Sequence, residues 1–532
     1  MSTRLTSPDA ASDAAGPSPF EDSVEQAGAR MVRGGAWQTA SHLSPYVMTA
    51  LISIVAARAL GPDGMGRQSY ISFIVISTIT ICSGGFAAAM PRYIAELIGK
   101  REDGRILSLH RWASRLALLA AGIAAAVLLT IAAFGSAPRL AWVFGAIGAF
   151  AGILHKVPAS VLVGAQRWRQ NSFVILSCGV GTTIATMVAL QLGGGITSIF
   201  VVLAAGNLVM ALWAWTISHR LLARITSPRV ALGRVRREVL HFMAVASVPM
   251  VLSFVVFQRS EFFFLEHYST DRQIALYSIA FGLYAALLAL PSALSNMFAP
   301  AVATLHGAGA HERIQSGFGR GLRLLFIISI PLTAGGIVFG PPLIGLLYGS
   351  EYDGAGLLFL VLITPLLVVP AGGLSGGLLF GYGRIRAPVV IGVIAGVVDL
   401  ALAAALVPPL DALGAALANV SAQIGAALLG IVYCVRLVGG IQLAPRHLAR
   451  AVLAATVAGG CGEVILRFVD GAGGLVLALV VSLVAYAGLA ASLRVLPRED
   501  ADWLVSSVGG RMSGRITWIC RRLSGAPLGA AR

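Results

Sequence analysis

A long uncharged segment limits what this chain can fold into. From residue 170 to residue 219 there is no Asp, Glu, Lys or Arg, and three glycines at 193–195 are the only interruption. A membrane-spanning helix needs about 20 consecutive apolar residues, so this segment has room for two. The 532-residue chain is 57% hydrophobic and 12% charged, whereas about 25% charged residues is usual in soluble domains. The sequence therefore predicts a protein that crosses the bilayer many times.

Apolar blocks of this length recur along the chain and predict an all-α membrane protein with about 14 transmembrane helices. We expect two parallel six-helix lobes plus two extra C-terminal helices, because an even number of spans lets both lobes enter the membrane in the same direction. The predicted parts are a disordered cytoplasmic tail (1–33), an N-terminal six-helix lobe (34–218), a basic cytoplasmic linker (219–239), a C-terminal six-helix lobe (240–436), two additional transmembrane helices (437–497) and a basic amphipathic cytoplasmic tail (498–532).

The distribution of basic residues predicts the orientation of these spans. Of the 39 basic residues, 32 lie in alternate loops that begin with the N-terminal tail, and 5 lie in the other loops. Cytoplasmic flanks collect Lys and Arg, so both termini are expected in the cytoplasm of a bacterium, with the protein in the plasma membrane. Although the net charge is +16, the basic residues are scattered between apolar blocks. A nucleic-acid partner is therefore not expected, since it would require a basic face.

Enzymatic chemistry has little sequence support. The five cysteines form no CxxC pair, so we interpret them as free thiols packed as small hydrophobic residues. No loop is long enough to form a sizeable soluble domain, which disfavours a membrane glycosyltransferase or ligase. We expect no enzyme activity, cofactor or metal site, and we look for function inside the helix bundle.

Charged residues within spans are candidate functional residues, because each costs several kcal/mol to insert. Lys156 lies about seven residues from the predicted inner end of its span; it either serves function or extends to the interface. Arg259 and Glu261 lie in the predicted span 240–265 and point about 200° apart on a helix. Arg259 is expected to face an aqueous lumen and bind an anion, with interhelical salt bridges as the alternative for both residues.

Three further groups complete the set of candidates. Asp399 is an acid in apolar surroundings that could bind a proton or sodium, or only hydrogen bond to a neighbouring helix. His42 belongs to a polar stripe in the first span. Arg58 and Arg92 lie near span ends, where extension of the side chain to the interface is the simpler interpretation.

Several short motifs resemble those of one transporter family. They are residues 57–66 (ARALGPDGMG), 163–168 (VGAQRW), 259–261 (RSE), 346–352 (LLYGSEY), 381–384 (GYGR) and 414–416 (GAA). In this order the chain resembles the polysaccharide (O-antigen-type) flippases of the multidrug/oligosaccharidyl-lipid/polysaccharide (MOP) superfamily, relatives of the lipid II flippase and of multidrug transporters. The resemblance spans about residues 34–496.

The resemblance implies an alternating-access flippase that carries a polyprenyl-diphosphate-linked oligosaccharide from the inner to the outer leaflet for polysaccharide biosynthesis. It strengthens Arg259, Arg58, Arg92 and Lys156 as substrate-binding candidates. Ion coupling or gating by Glu261, Asp399 and His42 is predicted from the residues themselves and not from the resemblance. Expected partners are this lipid-linked substrate, the lipid bilayer, and polysaccharide polymerase and glycosyltransferase components. The alternatives are a multidrug/cation antiporter of the same superfamily and a non-transporting scaffold of a polysaccharide assembly complex.

Overall fold

The computed structural model describes residues 27–135, 137–257, 260–296, 298–384, 386–441, 443–507 and 513–524. Every regular element in these ranges is helical, and they contain no strand. Eleven of the helices are long and apolar enough to cross a membrane. The predicted fold class, an all-α membrane protein, is confirmed.

The chain divides into two compact units. The first comprises the residues up to Leu60 together with Arg67–Phe254, and the second comprises Gly61–Gly66 and the residues from Val255 onward. Seven helices begin in the first unit: α1 Ala27–Ser83, α2 Phe86–Gly99, α3 Asp103–Phe134, α4 Arg139–Gly164, α5 Trp168–Gln191, α6 Ile196–Leu222 and α7 Arg234–Phe257.

The second unit contains the remaining helices and two short 3-10 turns, Ser350–Tyr352 and Thr364–Leu367. The helices are α8 Phe262–Tyr268, α9 Asp271–Asn296, α10 Phe298–Gly307, α11 His311–Tyr348, α12 Gly354–Leu362, α13 Val369–Gly381, α14 Arg386–Leu437, α15 Pro445–Phe468, α16 Gly471–Ser492, α17 Arg498–Ser507 and α18 Ser513–Ser524.

Two of the long helices each contain a sharp reversal. In α1 the break is at Gly61 (φ 68°), a backbone conformation that glycine adopts at no steric cost. In α14 it is at Asp411 (φ 50°), and the aspartate Oδ1 accepts a hydrogen bond of 2.7 Å from Ser269 Oγ. A side-chain Cβ at Gly414 would collide with the carbonyl of Leu406. A tight hairpin is therefore present at Asp411.

Small residues allow the helices of the first unit to pack closely. Ala113, Ala117, Ala121 and Ala124 are three or four positions apart on α3, and all four are buried. On α4, the Gly148 carbonyl accepts a hydrogen bond of 3.2 Å from Asn207 Nδ2 of α6. Helices with small residues at their interface can approach so closely that a side chain of one contacts the backbone of the other.

Two apolar blocks of membrane-spanning length are not continuous helices. The block 68–90 is interrupted at Gly84, whose φ is 46°, so that α1 ends at Ser83 and α2 begins at Phe86. In the span predicted at 240–265, Ser260 and Glu261 are turn residues that precede α8. The prediction of one continuous helix there is therefore wrong at Glu261, and Arg259 lies outside the described residues.

The C-terminal helices pack onto α11 of the same unit. Asp500 of α17 is fully buried and accepts two hydrogen bonds from Arg323, at 2.6 Å from Nη2 and 2.9 Å from Nε. Cys520 of α18 is buried in a cluster that includes Leu324 and Leu523. Arg320 Nε also lies 3.8 Å from Asp500 Oδ1. The tail is therefore anchored by the ion pairs of Asp500 with Arg323 and Arg320 and by an apolar cluster.

Candidate functional site

A buried polar network fills the break that precedes α8. Glu261 occupies the position directly before α8, makes no side-chain capping hydrogen bond there, and is completely buried. Its Oε2 accepts a hydrogen bond from the Tyr277 hydroxyl at 3.0 Å, and its Oε1 accepts one from Asn419 Nδ2 at 2.7 Å. The donors come from α9 and α14, so the carboxyl group is held from two sides.

The network includes one more polar side chain from each of these helices, Tyr284 of α9 and Gln423 of α14. Asn419 Oδ1 accepts from Gln423 Nε2 at 2.5 Å, and Gln423 Oε1 accepts from the Tyr284 hydroxyl at 2.6 Å. All of these groups are buried. A satisfied buried network of this kind fixes the orientation of every member.

A second carboxyl group meets Glu261 at the same break. Asp399 Oδ2 accepts a hydrogen bond from Ser260 Oγ at 2.8 Å, and Ser260 directly precedes Glu261, so the two acids lie near each other. Asp399 Oδ1 is buried and has no donor among the described residues. No described Lys or Arg forms an ion pair with either acid.

Two neighbouring buried acids are unfavourable when both are ionised without a compensating charge. Carboxylate, amide and hydroxyl oxygens surround the pair, and such oxygens suit a proton or a small hard cation. In the described part of the chain, no group of three or more His, Cys, Asp or Glu could hold a metal ion. The two acids are therefore a candidate site for a proton or a small cation.

The first unit contains a separate cationic site at Lys156. This residue of α4 lines a cavity of about 100 Å³ together with Cys82, Ser83, Phe86 and Met243, among others. The Ser83 hydroxyl is buried and has no hydrogen-bond partner among the described residues. An ammonium and a hydroxyl donor thus share a small, mostly apolar cavity.

This cavity lies at the break between α1 and α2. Gly85 directly precedes α2, and its N–H donates to Ser247 Oγ at 2.7 Å. The Ser247 hydroxyl in turn donates to the Met243 carbonyl at 2.8 Å. Backbone amides at a helix start must find acceptors when buried. Helix α7 supplies one here and so fixes the wall of the cavity.

The remaining candidates do not join these two sites. Arg92 is exposed and stacks on the Phe242 ring, 4.5 Å from its centroid, and Arg58 is exposed on α1. Neither lines the Lys156 cavity. Arg259 and the side chain of His42 lie outside the described residues. Among the candidates whose side chains the structure describes, Glu261 and Asp399 are the two that lie near each other.

Comparison with known proteins assigns the family. A family model described as a polysaccharide biosynthesis protein matches residues 55–356. The chain belongs to this polysaccharide biosynthesis family. The match includes both Lys156 and Glu261. No curated protein matches the chain in sequence.

Solved structures show that this family member has the fold of MOP-superfamily transporters. Lipid II flippase MurJ in an inward closed conformation matches with a TM-score of 0.68 at 13% identity, covering 86% of this chain and 98% of that chain. An inward-facing multidrug resistance transporter of the MATE family matches at 0.62 and 15% identity, covering 74% and 94%. A MOP-superfamily transporter from Pyrococcus furiosus matches at 0.51 and 14% identity, covering 79% and 96%.

Proposed function

We propose that the protein is a flippase that moves a polyprenyl-diphosphate-linked oligosaccharide from the inner to the outer leaflet of the bacterial plasma membrane. Its membership of a polysaccharide biosynthesis family and its transporter fold support this role. Polysaccharide polymerase and glycosyltransferase components would then act beside it. Both termini would be cytoplasmic, as the arginine distribution predicts.

The observation that carries the proposal is Lys156 in its apolar cavity. Lysine is a common phosphate ligand, and a desolvated ammonium attracts an anion far more strongly than one in water. The cavity of about 100 Å³ is smaller than the roughly 300 Å³ of ordinary ligand sites. Lys156 would therefore engage the diphosphate in a conformation in which the helix break at Gly84 has opened.

The acidic pair would supply the coupling. A proton or sodium ion at Glu261 and Asp399 removes the charge repulsion between them, so the ion changes the stability of the break before α8. An inside-negative membrane potential also favours outward movement of an anion by about 2.3 kcal/mol per charge per 100 mV. Arg259, Arg58 and Arg92 remain proposed substrate residues, and His42 a proposed gating residue.

Lys156→Met and Lys156→Arg test the proposal in a strain that lacks this gene. Surface polysaccharide and the lipid-linked intermediate are measured at equal protein levels. Lys100→Met is the matched control, because Lys100 is the only other lysine of the chain and is exposed. The hydrogen bond from its ammonium to Glu96 at 2.6 Å raises the pKa of Lys100, which is therefore charged at neutral pH.

We expect Lys156→Met to abolish surface polymer and to trap the intermediate on the inner side, with Lys156→Arg partly active and Lys100→Met normal. Normal export by Lys156→Met would refute a lysine-dependent flippase. Normal export with a changed drug susceptibility would instead indicate the antiporter alternative. Loss of polymer on deletion of the gene, with every point variant active, would indicate a scaffold.

A further inference from the structure

A cavity of about 500 Å³ opens at one end of α5 and α6, apart from both sites described above. Four arginines line it: Arg167 and Arg169 where α5 begins, and Arg220 and Arg224 where α6 ends. None of the described lining residues is acidic. The cavity therefore concentrates positive charge at the end of the helices that the arginine distribution predicts to be cytoplasmic.

Local structure alone does not explain this cluster. Arg220 and Arg224 suit the C-terminal end of α6, where the helix dipole is negative. Arg167 and Arg169 lie at the positive N-terminal end of α5, where a cation is unfavourable. Arg169, Arg220 and Arg224 are exposed and form no ion pair with any described residue. An anion bound among these arginines would offset the electrostatic repulsion between their positive charges.

The other side of the cavity is apolar. Phe173 and Ile217 line it, and the Phe173 ring, 53% exposed, meets Trp213 of α6 edge to face at 5.8 Å. Further along the two helices, Val180 and Leu212 are also exposed. Both helices qualify as membrane spans. A ligand that fits both sides has an anionic head and apolar chains.

We propose that this cavity binds the headgroup of a membrane lipid that carries two phosphates. The planar guanidinium group donates two parallel hydrogen bonds to one phosphate. Four arginines therefore provide two guanidinium groups for each of two phosphates. Basic pockets between helices near the membrane surface bind lipids of this kind. The acyl or prenyl chains lie along the exposed apolar faces of α5 and α6.

Binding of diphosphatidylglycerol to the purified full-length protein in detergent, followed by native mass spectrometry, tests the site. The variant Arg220→Gln/Arg224→Gln is compared with Arg236→Gln/Arg237→Gln, which removes the same charge from exposed residues of α7 that do not line the cavity. We expect the cavity variant to bind at least about tenfold more weakly, since charge-assisted hydrogen bonds are lost. The control pair is expected to keep wild-type affinity.

Four further ligands distinguish the possible sources of the bound phosphates. Phosphatidylglycerol, with one phosphate, is expected to bind more weakly, and phosphatidylcholine not to compete. Polyprenyl diphosphate has the same two phosphates, and its competition with diphosphatidylglycerol decides which lipid is preferred. Inorganic pyrophosphate that binds as tightly as the lipids would overturn the proposal in favour of a soluble anion. Equal loss in both double variants would overturn it in favour of general surface charge, and thermal unfolding without lipid verifies that both variants fold.

Discussion

The ion pair between Arg323 and Asp500 is predicted to hold the C-terminal helices on α11. Asp500 has no exposed surface, and the Arg323 side chain is 10% exposed. Removing one partner of a buried pair costs about 3–5 kcal/mol, because the other charge stays buried and uncompensated. Since each 1.36 kcal/mol is a factor of ten, Asp500→Ala should weaken docking of the tail about 200- to 5,000-fold.

Cys520 on α18 reports this docking directly. It is buried beside Leu324, and burial raises the pKa of its thiol, so in the docked tail little of the reactive thiolate is present. The assay uses a chain in which the other four cysteines are replaced and measures the labelling rate with a polar maleimide. We expect Asp500→Ala to accelerate labelling until the rate of an exposed thiol is reached.

Two further variants decide how the result is interpreted. Asp502→Ala removes an exposed charge from the same helix and should label at the wild-type rate. The combination Arg323→Met with Asp500→Leu should restore slow labelling, because a buried ion pair can be replaced by apolar residues of similar size at little cost. Wild-type labelling in Asp500→Ala would refute the assigned anchor, as would equal acceleration in the Asp502 control.

Three other predictions concern the second unit. Gly414→Ala should lower the thermal stability by about 1–3 kcal/mol through collision at the hairpin, whereas Gly425→Ala, which has open space around it, should be neutral or stabilising; detergent-solubilised variants can be compared by thermal unfolding. Tyr284→Phe should cost about 1–3 kcal/mol because it leaves the buried Gln423 Oε1 without a donor, measured in the same way. Glu261→Gln should remove the response of substrate transport in vesicles to an imposed proton or sodium gradient, and an unchanged response would exclude the acidic pair as the coupling site.

The hairpin at Asp411 was accessible from the sequence, and the helix breaks were not. Two prolines followed by an acid interrupt an apolar run, which a helix inside a membrane rarely tolerates without a turn. Gly84 and Gly85 give a weaker signal, since membrane helices often contain glycine. Their break depends on an acceptor in α7, far along the chain, and a local pattern carries no information about that residue.

The acids were identified from the sequence, but their partners were missed. Tyr277 and Tyr284 are seven residues apart, and Asn419 and Gln423 are four apart, so each pair shares one face of its helix. These polar side chains inside apolar spans were a signal that charge alone did not reveal. The meeting of Glu261 with Asp399 was beyond the sequence, because it depends on the packing of α8 against α14.

The order of synthesis gives the buried network a consequence for membrane insertion. Glu261 is translated 158 residues before Asn419, which donates to it, an interval of about 10–30 s at common elongation rates. Of the two described side-chain donors to the acid, Tyr277, 16 residues downstream, is the one already synthesised during that interval. Asp399 and Asn419 lie on either side of the tight turn at Asp411 and so belong to one helical hairpin. The two polar groups are therefore expected to enter the bilayer together. Assembly of the second unit is therefore expected to depend on the insertion machinery retaining α8 and α9 until this hairpin arrives.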